Sequence, residues 1–161
     1  MKIGNLNGER GFTLIEILIV VAIIAVLASA VLIGLGPIQR QGRDARRISD
    51  LRQVQNALEL YYGKCGYYPG TTQATSPCGA FSAISAWTDV TTALVGSVLG
   101  VAQIPNDPTA GTNYFYGTSG TGNSYVLGAT LEDANNPALI QGAKGTIFGV
   151  DCSGTKYCLQ L

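Results

Sequence analysis

The chain has 161 residues, of which 12% are charged, and its 10 Lys and Arg balance its 10 Asp and Glu. This balance leaves no basic surface large enough to predict a dedicated nucleic-acid-binding protein. The sequence contains no His, which removes the commonest general base and excludes Ser-His and Cys-His nucleophile pairs. We therefore predict that the chain is not an enzyme.

The first elements are a short leader, residues 1–11, and an apolar segment, residues 12–36, in which Glu16 is the single charged residue. A helix of that length rises roughly 37 Å, enough to cross a hydrocarbon core of about 30 Å. We therefore predict one membrane-spanning helix. Ala28-Ser29-Ala30 offers an alternative, an ordinary signal-peptidase site, but the apolar run is longer than that of a secretory signal.

An amphipathic helical segment follows over residues 37–62, with apolar side chains at helical spacing and charged side chains on its other faces. Gly34, Gly36 and Pro37 lie where the two halves meet. Because Gly and Pro weaken helices, we expect a kink or a local melt there. Gly63 is expected to end the helix, and the amphipathic half is expected to pack on a globular domain.

Residues 63–161 are predicted to form that domain, called the head below. It opens with a Gly-, Pro-, Thr- and Ser-rich loop from Cys65 to about Trp87. Asp89 is predicted to cap a short helix that runs to about Val98, because its side chain can accept from the free amides of the first turn.

Two strand pairs are predicted in the rest of the head. Residues 112–116 and 124–131 are rich in β-branched and aromatic side chains and are separated by a Gly-rich loop, which indicates an antiparallel hairpin. Residues 146–151 and 156–160 indicate a second pair, with Ser153-Gly154-Thr155 as its turn. The predicted fold class is α+β, with a long N-terminal helix whose second half packs on a small antiparallel sheet.

The four cysteines, Cys65, Cys78, Cys152 and Cys158, all follow the apolar segment, and their spacing matches neither a metal knuckle nor a redox dithiol. We interpret them as two disulfides, which places the head in an oxidising compartment. Three pairings are open. Sequence proximity favours Cys65 with Cys78 and Cys152 with Cys158.

Residues 11–16, GFTLIE, open the apolar segment close to the N-terminus. Together with the short basic leader and the long apolar helix, they resemble the processing signal of type IV prepilins and type II secretion pseudopilins. The resemblance implies that a prepilin peptidase cuts between Gly11 and Phe12 and that the new Phe12 amine is methylated. Gly11 suits the cut because a residue without a side chain lets the backbone lie extended against a protease.

Glu16 is costly in a membrane helix, so it is expected to face a partner. After the cut it lies one helical turn from the Phe12 amine, and the two can pair within one subunit. The resemblance implies that in the filament Glu16 pairs with the Phe12 amine of the next subunit and sets the register. The alternative is a carboxylate that reaches toward the lipid headgroups.

The orientation of the helix has one conflicting signal. The flank beyond the apolar segment carries five arginines, namely Arg40, Arg43, Arg46, Arg47 and Arg52. Lys2 and Arg10 on the leader side are fewer, so the positive-inside rule alone would place the head in the cytoplasm. The cysteines and the prepilin-like signal require an exported head instead. We therefore interpret the arginines as a solvated or intersubunit face, with DNA contact on a filament as an alternative that we do not expect.

The loop after the predicted hairpin carries oxygen-bearing side chains at Glu132, Asp133, Asn135 and Asn136. Major pseudopilins, which the chain resembles, often bind calcium in this loop, and such oxygens suit a hard cation. The spacing is not that of an EF-hand, and a plain polar turn is the preferred interpretation. We therefore assign no metal site and expect no cofactor, with calcium as the alternative.

The resemblance implies a structural subunit that polymerises with its own copies into a type IV pilus-like filament for adhesion, motility or DNA uptake. Its partners would be the prepilin peptidase, an assembly platform and an ATPase. It would begin as a single-pass protein of the cytoplasmic membrane, anchored by residues 12–36 with its head extracytoplasmic, and end in an extracellular pilus or a periplasmic pseudopilus. The cysteines and the Gly-, Ser- and Thr-rich head favour the surface pilus.

Two alternatives stay open. The first is a pseudopilin of a type II secretion system. The loop with oxygen-bearing side chains suited to calcium favours this alternative. The second is a membrane-anchored extracytoplasmic binding domain that remains monomeric.

Overall fold

A computed structural model describes the protein over residues 11–71, 78, 84, 86–96 and 100–161, without the side chains of residues 32–35. The leader residues 1–10, most of the predicted loop before Trp87 and the predicted helix end at Val98 lie outside the described residues. The chain divides into two compact units, Met1–Gln39 and Arg40–Leu161. The second unit adds residues 40–62 to the predicted domain, and from here on it is called the head.

Helix α1 comprises Leu14–Cys65. It continues through Pro37, so the local melt that we expected at Gly34, Gly36 and Pro37 does not occur. A proline removes a single backbone donor, and the segments on either side are rich in residues that favour helix, which restore the hydrogen-bond ladder.

The end of α1 is also later than predicted, because the helix passes Gly63. Termination falls at Gly66, which adopts a left-handed φ of 79°. Its amide donates to the Tyr62 carbonyl at 2.7 Å. Glycine reaches this conformation without the steric penalty that a side chain would incur, so Gly66 is the residue that ends the helix.

Helix α2 comprises Trp87–Gly96. The predicted cap at Asp89 is wrong in position, since Asp89 is the third residue of the helix. Its carboxylate instead reaches back and accepts from the Ala86 amide at 2.9 Å. An acidic side chain at this position satisfies a free donor at the helix start as effectively as a cap in front of it.

The remaining elements of the head are short. They are β1 (Phe115–Thr118), β2 (Tyr125–Thr130), α3 (Ala138–Gln141), β3 (Thr146–Ile147), β4 (Val150–Asp151) and β5 (Lys156–Gln160). Strands β1, β2 and β5 form one antiparallel sheet in the order β1-β2-β5. The predicted hairpin is confirmed, with Phe115 opposite Gly128 and Thr118 opposite Tyr125.

The predicted second strand pair is wrong. Residues 146–151 do not pair with residues 156–160 but fold back on themselves, so that β3 pairs with β4. The turn between them is made by Phe148 and Gly149, with φ of 47° and 82°, and such left-handed residues end a strand. Strand β5 is therefore free to pair with β2, where Leu159 lies opposite Leu127.

The outer edge of β5 is covered by the segment before β3. The Leu161 amide donates to the Tyr125 carbonyl, and since facing directions alternate along a strand, the Cys158 carbonyl points away from β2. That carbonyl accepts from the Ala143 amide at 2.9 Å.

One hydrophobic core holds the head together. It includes Leu51, Val54, Leu58 and Tyr61 of α1, Val90 and Leu94 of α2, and Tyr125, Leu127 and Ala129 of β2. These side chains expose 0% of their surface, and burying each large one contributes roughly 1.5–3 kcal/mol. The second half of α1 thus packs on the sheet, and the α+β fold class is confirmed.

Both disulfides that sequence proximity favours are present. Cys65 is joined to Cys78, which ties the end of α1 to the loop that follows it. Cys152 is joined to Cys158, and both pack with Val126 on the face of the sheet away from the main core.

Candidate assembly site

The N-terminal unit presents an exposed apolar surface. Residues Leu14–Val31 have a mean hydropathy of 3.0 and none of this stretch is buried. Each large apolar side chain from Phe12 to Val31 exposes half or more of its surface. One helix of the described chain is therefore long and apolar enough to cross a membrane, and a surface of this kind requires lipid or protein against it.

The predicted cleavage residues lie just before α1. Phe12 exposes 80% of its surface, and a side chain added at Gly11 would meet no atom within 4 Å. Packing within the subunit therefore does not require glycine at position 11. A requirement for glycine there would come from another molecule.

Glu16 takes part in a capping box at the start of α1 that the sequence analysis missed. Its Oε2 accepts from the Thr13 amide at 3.3 Å and from the Thr13 hydroxyl at 3.2 Å. The Thr13 hydroxyl in turn accepts from the Glu16 amide at 3.3 Å. The signal was available in the sequence, since Thr followed three residues later by Glu before an apolar run is the pattern of a capping box.

This geometry has a chemical consequence for the helix start. The Glu16 carboxylate is held at the N-terminal end of α1, where the helix dipole favours negative charge. A cut before Phe12 would place a positive amine one residue from Thr13. Two kinds of donor would then compete for the carboxylate, namely the Thr13 groups of the capping box and the new amine.

A second set of charged residues lies in the head and is buried. Arg47 exposes 3% of its side chain, Asp44 exposes 0%, and Asp107 exposes 3%. The Arg47 guanidinium donates to Asp44 at 2.8 Å, to Asp107 at 2.8 and 3.0 Å, and to Glu132 at 2.9 Å. Arg43 makes two further bonds to Glu132, from Nε at 2.7 Å and from Nη2.

These contacts correct the interpretation of the arginines as a solvated or intersubunit face. Arg47 is buried in the head, and the half-buried Arg43 binds Glu132 of the same chain. The partners Asp107 and Glu132 lie 60 and 85 residues from Arg47, so no local spacing in the sequence could have identified them. Arg46 and Arg52 are exposed on α1, as expected.

The ion pairs shift pKa values in this cluster toward the charged forms, because they lower the pKa of the carboxyl groups Glu132 and Asp107 and raise that of Arg47. The hydrogen bond from Arg43 lowers the pKa of Glu132 to about 2, from a usual 4.5. Burial alone would raise the pKa of Asp107, but the hydrogen bonds from Arg47 and the Thr109 amide outweigh it and lower that pKa. The hydrogen bond to Asp107 raises the pKa of Arg47 further above its already high value. Arg47, Asp107 and Glu132 are therefore ionised at neutral pH.

In the loop that the sequence analysis considered for calcium, several of the oxygen-bearing side chains already have partners within the chain. The Glu132 carboxylate is bound by two guanidinium groups. Asp133 and Asn136 accept from the Asn135 and Ala138 amides within the same turn. The described part of the chain contains no group of three or more acidic, Cys or His side chains placed to hold a metal ion.

Comparison with known families gives a direct match at the N-terminus. The family described as the prokaryotic N-terminal methylation motif matches residues 6–32. The chain is also 40% identical over 65 residues to the type II secretion system core protein G of Escherichia coli K12. These matches support the assignment of the chain to the type IV pilin and pseudopilin family.

The similarity to pseudopilins varies in extent among relatives. The Escherichia coli match covers 40% of this chain and 45% of the relative, and a match of 38% identity to the core protein G of Klebsiella pneumoniae covers 46% of that relative. The chain thus spans about half the length of these curated relatives. The core protein G of Vibrio cholerae is 29% identical over 128 residues, which cover 78% of this chain and 84% of the relative. No solved structure matches the chain.

The family is one of structural subunits rather than enzymes. Each relative named above is a secretion-system protein, so the comparisons favour the pseudopilin alternative over the surface pilus that the cysteines and head composition favoured. The composition of a head surface does not separate the two kinds of filament.

Proposed function

We propose that the chain is a pseudopilin, a subunit of the short periplasmic filament of a type II secretion system. The observation that carries this proposal is the similarity to core protein G over 128 residues, which extends beyond the N-terminal motif into the head. The pilin-like fold supports it, since a long helix on a small antiparallel sheet is what the family resemblance implies.

The N-terminal segment supports processing before assembly. A prepilin peptidase would cut between Gly11 and Phe12, and the new Phe12 amine would be methylated. Both residues precede the first turn of α1, which begins at Leu14, and Phe12 is exposed. A peptidase could therefore reach this bond without unwinding the helix.

Glu16 would then act in assembly. In the uncut chain its carboxylate accepts hydrogen bonds from the Thr13 amide and hydroxyl. In the filament it would receive the amine of Phe12 from a neighbouring subunit, since an ion pair in an apolar surrounding is far better than an unpaired charge. The exposed surface of residues 12–31 would exchange lipid for the same surface of neighbouring subunits.

The location follows from the anchor and the cysteines. Residues 12–36 would hold the subunit in the cytoplasmic membrane before assembly. The two disulfides support a head that lies in an oxidising compartment, on the extracytoplasmic side. The peptidase, an assembly platform and a cytoplasmic ATPase would be its partners.

The deciding experiment is deletion of the gene in its own host, followed by assay of secreted proteins and electron microscopy of sheared cell surfaces. We expect substrates to accumulate in the periplasm while surface pili are unaffected. Loss of surface filaments with normal secretion would show that the pilus hypothesis is correct instead.

The processing step has its own measurement, the mass of the N-terminal peptide from the membrane fraction. We expect a peptide that begins at an N-methylated Phe12. A peptide that begins at Met1 or after Ala30 would leave the monomeric anchored domain, or an ordinary secreted one, as the explanation.

A further inference from the structure

Three acidic side chains from distant parts of the head converge on one point. Asp44 lies on α1, Asp107 in the turn before β1, and Glu132 in the loop after β2. Asp44 and Asp107 are almost completely buried. Because like charges at this range repel strongly where solvent is excluded, the three segments cannot meet without a cation between them.

Arg47 is that cation, and every N–H of its guanidinium group is used. The five donors go to Asp44, twice to Asp107, to Glu132 and to the Thr109 hydroxyl, at 2.8 to 3.0 Å. A guanidinium group has five donors in a fixed plane. Its bonding capacity therefore matches the oxygen atoms around it, and no buried side-chain nitrogen or oxygen of the described residues lacks a partner.

Asp44 also binds the backbone of the loop after β2. Its Oδ1 and Oδ2 accept from the Glu132 amide at 2.9 and 3.2 Å, and Oδ2 accepts from the Asp133 amide at 2.9 Å. The start of that loop is thus fixed to α1 through its backbone. This is the part of the head in which the sequence analysis considered calcium.

We infer that Arg47 replaces a structural divalent cation in this head, so that the loop after β2 is held to α1 by a guanidinium group and the subunit folds without calcium. The inference goes beyond the proposed function, because a pseudopilin could be organised in either way. Its failure would leave the secretion and N-terminal mass results unchanged.

The first test measures thermal unfolding of the full chain in detergent, with excess EGTA or with millimolar CaCl2. We expect the two unfolding temperatures to agree. A structural site at a hundredfold excess of calcium over its Kd would raise the unfolding temperature by roughly 10 °C. A rise of that size, or calorimetric binding of one calcium ion per chain, would overturn the inference.

The second test asks whether the positive charge of Arg47 is what matters. Arg47→Met keeps an unbranched, flexible side chain of similar width but leaves the carboxylates uncompensated, so we expect a markedly lower unfolding temperature. Adding Asp107→Asn to Arg47→Met removes one of the repelling charges and should recover part of that loss. Arg52→Met, an exposed position on the same helix, is the matched control and should unfold like the wild type.

The double variant separates charge from packing. If Arg47 acts only by filling space, Asp107→Asn will lower the unfolding temperature of Arg47→Met further, and the inference fails. If Arg47→Met does not fold, the same comparison is made with the half-buried Arg43 and its partner, using Arg43→Met with and without Glu132→Gln. There too, recovery supports the inference and further loss overturns it.

Discussion

Charged side chains differ between the two units of the molecule in their exposure and in their partners. In the N-terminal unit, Glu16 stands on an exposed apolar helix and its described partner is Thr13, one turn away. In the head, Asp44, Asp107 and Glu132 are bound by arginines of the same chain. The exposure and weak local partners of Glu16 fit the proposed role of a charge that pairs with another subunit, whereas a charge that holds the fold is buried and fully paired.

The largest effect on assembly is expected from Glu16→Gln. Glutamine can still complete the capping box, so the change removes the charge while it preserves the helix start. We expect cleavage and membrane insertion to be normal and filament assembly to fall at least about tenfold, since a loss of only about 1.4 kcal/mol per contact has that effect. Chemical crosslinking of subunits in membrane fractions measures this. Normal crosslinking in Glu16→Gln would rule out a role for the charge.

Asp44→Asn tests the buried charge in the head. Asparagine has one acceptor oxygen where the carboxylate has two, and it leaves Arg47 without the negative charge of its i,i+3 partner. Breaking a buried pair from one side costs about 3–5 kcal/mol, which chemical denaturation would measure. Asp151→Asn is the control, because Asp151 pairs with Lys156 in an exposed position, and little change is expected there. Equal effects of the two substitutions would contradict the assignment of Asp44 as a buried anchor.

Acid should weaken the head through Glu132. Its pKa is lowered in the folded state to about 2, from a usual 4.5. The stabilisation is therefore complete above pH 4.5, and it is lost as the pH falls toward 2. Glu132→Gln should show a flatter fall in the free energy of unfolding over this window. An unchanged slope would show that the ion pair with Arg43 does not stabilise the fold.

The smallest effect is expected from Thr13→Val. This change removes the hydroxyl of the capping box and should cost about 0.5–2 kcal/mol at the start of α1. Faster amide hydrogen exchange at residues 14–17 would report it. Assembly should be nearly normal, because Glu16 keeps its charge. A loss of assembly equal to that of Glu16→Gln would mean that the capping geometry, and not the charge, is what the next subunit recognises.

Features set by neighbouring residues were predictable from the sequence. The helix, the hairpin around residues 117–124 and both disulfides follow from periodicity, turn residues and proximity. The capping box of Thr13 and Glu16 belongs to the same class, since its pattern spans four residues.

Features set by distant residues were not predictable. Strand β5 pairs with β2 because Phe148 and Gly149 turn the chain early, and the choice between two partners for β5 depends on the packed head. Arg47 finds Asp107 and Glu132 across 60 and 85 residues. No spacing rule predicts such a cluster, because it is specified by the positions of three separate segments around one core.

The Ala143 amide, which donates to the outer edge of β5, limits how copies of the head can pair their strands. An open strand edge is a template for strand addition from another chain, which leads to aggregation. At Cys158 that edge is already bonded to its own chain. Strand addition from another copy of the head is therefore blocked at this point of the β5 edge.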